Sequence, residues 1–68
     1  MPTTAFLAHA PTLRRVKVST TGSVIYQGYP DGYWEITHMS EPLDITPQQV
    51  RDGVEVLKTM GWVVVTDR

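Results

Sequence analysis

The chain has 68 residues, no cysteine and a formal net charge of −1 at pH 7. The lack of cysteine excludes a disulfide scaffold, thiol catalysis and zinc–thiolate sites, and the near-zero charge gives no global attraction to nucleic acid or acidic membranes. With 41% hydrophobic and 19% charged residues the composition is that of a single globular domain, one small enough that its stability margin is thin.

No apolar run reaches the length of a membrane span, and no basic region precedes an apolar stretch at the N-terminus. The expected setting is therefore the cytoplasm. Residues 1–11 give the weakest local signal. Ala5-Phe6-Leu7-Ala8 is apolar but short and lies between Pro2 and Pro11. It suits a flexible N-terminal arm, a short strand, or a segment packed on a neighbour. Residues 12–68 read as one α+β domain.

Residues 13–19 alternate apolar and polar, as a half-buried strand does. Thr20-Thr21-Gly22 reads as a tight turn. Residues 23–29 form a second strand by their β-branched and aromatic content. Pro30, Asp31 and Gly32 after Tyr29 have the pattern of a type I turn closed by a glycine bulge, a three-residue hairpin loop. Residues 33–38 return as the third strand.

If both loops have three residues, the register follows. Tyr29 faces Tyr33, Gln27 faces Glu35, Tyr26 faces Ile36 and Val24 faces His38; on the other side Ser19 faces Ser23, Val18 faces Val24, Val16 faces Tyr26 and Arg15 faces Gln27. That places Val16, Val18, Val24, Tyr26, Trp34 and Ile36 on one face. Arg15, Lys17, Ile25, Gln27, Tyr29, Tyr33, Glu35 and Thr37 fall on the other, because side chains alternate with period two.

A polar connection with Pro42 leads to a helix over residues 47–60. Thr46 is its N-cap, Pro47 its first residue, and Gln49 closes a capping box, with Ile45 and Val50 as a hydrophobic staple. Gly61 and Trp62 suit a Schellman ending, Trp62 folding back on Leu57. Val50, Val54 and Leu57 form the apolar stripe. Gly53 in mid-helix is costly, and close approach of a strand or ring is its expected reason. Residues 62–66 form the last strand, whose apolar run implies burial on both faces.

The expected architecture is a two-layer β-β-β-α-β fold. A three-stranded antiparallel meander is covered on one face by the helix. The last strand runs parallel to the first and third, placed beside the first by a right-handed crossover; pairing beside the third strand, or with a second copy of the chain, is the alternative.

No catalytic, metal or cofactor site stands out. His38 and Glu41, with His9 and Asp44, allow a metal site to be drawn, but strand and loop spacing gives it no geometric basis. The serines and threonines near residue 20 are explained by turn chemistry, and the glycines make no phosphate loop. The informative surface is the outer sheet face, with Tyr29 and Tyr33 as aromatic anchors beside Arg15, Ile25, Gln27 and Glu35. This suits a small non-enzymatic protein-interaction domain, an accessory or phage-type regulator binding a protein partner or a second copy of itself. The alternative is a nucleic-acid-binding module using Arg14, Arg15 and Lys17 with the sheet aromatics.

Overall fold

Both ends of the chain contribute strands to one sheet in a computed structural model that describes residues 4–40 and 44–65. Expectations that fall on Pro2, Pro42 and Thr66 lie outside the described residues. The elements are β1 (Thr4–His9), a short 3-10 turn (Ala10–Thr12), β2 (Arg14–Ser19), β3 (Gly22–Gly28), β4 (Trp34–Met39), α1 (Pro47–Thr59) and β5 (Val63–Val65). The strand order is β4-β3-β2-β1-β5, and every neighbouring pair is antiparallel. The α+β class and the meander are as the sequence implies.

Residues 4–9 form an interior strand. Each antiparallel step reverses direction, so β5 does run parallel to β2 and β4. It does not lie beside β2, however: β1 takes that place and β5 pairs outside it. The reason is ladder length. β1 offers β2 six paired residues, from Thr4↔Ser19 to His9↔Arg14, whereas β5 supplies three. The longer ladder satisfies more backbone groups in the interior. At the sheet edge Val63 and Val64 are exposed, which corrects the expectation that the last strand is buried on both faces.

The β3–β4 loop forms as its residues dictate. The Gly32 amide donates to Tyr29 O (3.0 Å), the Tyr29 amide to Tyr33 O (2.9 Å), and Gly32 takes φ +88°. The β2–β3 loop differs. It has two residues, Thr20 and Thr21, so that Ser19 faces Gly22 and not Ser23. Gly22 takes φ +132°. The Ser19 hydroxyl donates to Gly22 O (3.0 Å) and accepts from the Thr21 amide (3.3 Å), which locks the shorter turn.

That one-residue change pairs Val16 with Ile25 and Arg15 with Tyr26. A bulge between Ile25 and Tyr26 then leaves Thr37 unpaired, so Val24 faces Met39 where His38 was expected. The Thr37 hydroxyl donates to Ile25 O (3.3 Å). Together the two features re-sort the sheet, because a slip of one moves a strand's side chains to the opposite face. Val16, Val18 and Ile25 share one side; Val24, Tyr26, Trp34 and Ile36 share the other with Arg15 and Lys17.

α1 has the ends its sequence specifies. The Gln49 amide donates to Thr46 Oγ1 (3.1 Å) and the Thr46 amide to Gln49 Oε1 (2.8 Å), completing the capping box. At the other end the Trp62 amide donates to Leu57 O (3.1 Å) and the Gly61 amide to Lys58 O (3.2 Å), with Gly61 at φ +92°. These two bonds make a Schellman ending. α1 packs on β1, β2 and β5. Among the described residues the buried apolar side chains are Leu7, Val16 and Val50. Nothing lies within 4 Å of a Cβ built on Gly53, so close approach does not explain that glycine.

Candidate docking face

α1 covers one side of the sheet, and among the described residues no element covers the other. The register builds two rows across all five strands on that open side. One is Val63, Ala8, Arg15, Tyr26 and Ile36; the other is Val65, Phe6, Lys17, Val24 and Met39. Each row is apolar except for one cation, and both cations stand on β2. Trp34, Ile36, Met39 and Val63 are 44, 52, 62 and 63% exposed. Four strands of six or seven residues and a fifth of three make up this face. Contiguous exposed apolar surface is one of the features that interaction surfaces share.

Trp34 closes one end of this face. It pairs with Gly28, and its indole lies across that glycine. The Arg15 guanidinium sits over the ring at 4.9 Å from the centroid, a cation–π contact. At the other end is a shallow depression of about 210 Å³ lined by Lys17, Ser19, Thr21, Val24, Met39 and Ser40. None of the described strands places a carboxylate on this face. Asp31 is in the β3–β4 turn, Glu35 is on the helix side of the sheet opposite Gln27, Asp44 precedes α1, and Asp52 and Glu55 are on α1.

The residues singled out from the sequence divide between the two sides. Ile25, Gln27, Tyr29, Tyr33 and Glu35 do come together, on the helix side at the β3–β4 hairpin, beyond the strands on which α1 packs. The Tyr29 and Tyr33 rings are 5.4 Å apart. The Tyr29 hydroxyl donates to Glu35 Oε1 (3.5 Å). The negative charge of Glu35 raises the Tyr29 pKa above its ordinary value, with smaller contributions from desolvation, that hydrogen bond and Tyr33. Arg14 joins this group, donating to Gln27 Oε1 (3.1 Å). Arg15 and Lys17 are not part of it, since both stand on the open side.

Val24, Tyr26, Trp34 and Ile36, expected on the covered face, are on the open one, and Met39, expected in the polar connection, ends β4 on the same side. Val24, Ile25 and Tyr26 are all apolar, so β3 carries no alternation from which its buried side can be chosen. The informative signal was Gly22, whose position directly after Thr-Thr allows a two-residue loop.

His9 stacks on Trp62 with ring centroids 5.1 Å apart, and its Nδ1 is 2.6 Å from Thr12 Oγ1. His38 lies on β4 opposite Ile25, and Glu41 lies outside the described residues. Among the described residues no three His, Asp or Glu side chains gather as metal ligands do, and no helix is long and apolar enough to cross a membrane. Compared with known proteins, this chain matches no family model, no curated protein and no solved structure.

Proposed function

We propose that this chain is a small, cytoplasmic, non-enzymatic protein-interaction domain whose open sheet face docks a protein partner. One observation carries the reading. A sheet covered by a helix on one side exposes two contiguous, largely apolar rows on the other, with Trp34, Ile36 and Met39 projecting from an edge strand. Exposed apolar area of this kind gains free energy when a partner removes it from water, at roughly 25 cal/mol per Å² before the costs of association. The Tyr29–Tyr33 pair stabilises its own hairpin as a cross-strand contact and stands apart from this face.

The nucleic-acid reading draws on Arg15 and Lys17 sharing the open side with Tyr26. It is weaker because Arg14 faces the other way, and because Trp34 lies against Gly28 with Arg15 over its ring. A base would have to displace that cation to stack there.

The test is affinity capture from nuclease-treated lysate with wild type, Ile36→Asp and the double variant Tyr29→Ala/Tyr33→Ala. A partner retained by wild type and the tyrosine variant but lost with Ile36→Asp supports docking on the open face. Retention by Ile36→Asp with loss in the tyrosine variant moves the site to the hairpin.

A further inference from the structure

Among the described strand residues the charge on the open face is of one sign. Arg15 and Lys17 project from β2 on that side, and the one strand carboxylate, Glu35, is on the other. Beside them Val24 and Tyr26 on β3 form an apolar floor, and Ile36 and Met39 on β4 form its far wall. Three adjacent strands span about 10 Å, the width of one α-helix with its side chains. Arg15 and Lys17 are two residues apart on a strand, about 6.8 Å. Carboxylates four apart on a helix are about 6 Å apart along its axis.

We propose, resting on the docking-face reading above, that the occupant of this face is an amphipathic helix of a partner protein, laid over β3. Its apolar stripe meets Val24, Tyr26, Ile36 and Met39, and glutamates or aspartates along one border of the stripe meet Arg15 and Lys17. The same sheet already carries a helix, α1, on its other side, so the complex has a helix–sheet–helix layering. A second copy of this chain fits less well. Face-to-face packing about a two-fold axis brings the β2 cations of both copies into one desolvated layer, with like charges opposed. The carboxylates of α1 suit it no better as a donor, because Asp52 and Glu55 belong to a helix already packed on its own sheet.

The experiment uses the whole chain and two peptides of about 18 residues, long enough to hold helical structure. Both carry the same leucine stripe, bordered by glutamate in one and by lysine in the other; a short oligothymidylate is the third probe. Backbone amide shifts and affinity are read for each. The glutamate peptide is expected to shift amides of β2, β3 and β4 and to bind at least tenfold tighter than its lysine twin. That preference should disappear in Arg15→Gln/Lys17→Gln, whose amide spectrum checks that the fold is kept. Equal binding of both peptides at the same amides overturns the acidic occupant while leaving the docking face in place. No peptide shifts on the open face overturn the helix proposal, and the Ile36→Asp capture then judges the docking reading separately. Stronger shifts of the same amides by oligothymidylate replace the helix with single-stranded nucleic acid. A protein mass that doubles with concentration, and does not in Ile36→Asp, replaces it with a second copy.

Discussion

The Trp34 indole covers Gly28 so closely that a Cβ on residue 28 would stand 2.8 Å from Trp34 Cη2 and 2.9 Å from the Leu13 carbonyl oxygen. That carbonyl also accepts the Gly28 amide at 2.7 Å, and Leu13 holds φ +56° to present it. The glycine therefore lets an aromatic side chain lie flat on the sheet. Gly28→Ala should destabilise the fold by about 1–3 kcal/mol through overpacking. Urea unfolding measures this. In a Trp34→Ala background the loss should shrink without vanishing, because the Leu13 oxygen remains.

Gly53 should respond in the opposite way. Its Cβ position is open and it lies in the middle of α1, so Gly53→Ala should stabilise by about 1 kcal/mol from helix propensity. A rise in the urea midpoint with unchanged slope is the expected result. A fall would mean that the added methyl meets a neighbour in the folded chain, against the open space at this position.

Thr46→Ala removes the hydroxyl that accepts the Gln49 amide and breaks the reciprocal box. The loss should be about 1 kcal/mol. Thr46→Ser, which keeps the acceptor, should restore nearly all of it in the same unfolding measurement.

Leu7 is fully buried between β2 and β5. Leu7→Ala should cost about 2–5 kcal/mol. A domain of this length has a total of roughly 3–10 kcal/mol to lose, so much of the variant should be unfolded at 25 °C by circular dichroism. Slow hydrogen exchange at β1 amides in the wild type is the companion result that separates an interior strand from an arm.

Tyr29 should ionise above the ordinary tyrosine range in a spectroscopic titration, because Glu35 holds its pKa up. Glu35→Gln should bring the Tyr29 pKa down toward the ordinary value. The sign for stability follows from linkage. The folded state holds this proton more tightly than the unfolded chain does. The contribution is therefore complete below the unfolded tyrosine pKa and is lost as pH rises through the higher folded value.

The helix was legible almost residue by residue, since capping box, proline and Schellman glycine act over a few neighbouring positions. The Pro30–Asp31–Gly32 turn was legible for the same reason. The β2–β3 loop was not, because Thr-Thr-Gly accommodates two-residue and three-residue turns, and the choice rests on the Ser19 hydroxyl bonds. Nor was the open apolar side of the sheet, which follows from that choice and from the bulge at Thr37.

By itself the sequence determined the α+β class, the meander, the extent of α1 and the direction of the last strand, all consequences of local chemistry and of counting chain reversals. Tertiary structure decided which side of each strand faces α1, and that β1 separates β2 from β5. Those outcomes depend on comparing whole ladders and whole faces. With Val24, Ile25 and Tyr26 apolar in succession, β3 can bury either side. The Ser19-locked turn and the packing of α1 on β1 and β2, where Leu7, Val16 and Val50 are buried, select one and leave Tyr26, Trp34, Ile36 and Met39 on the other side.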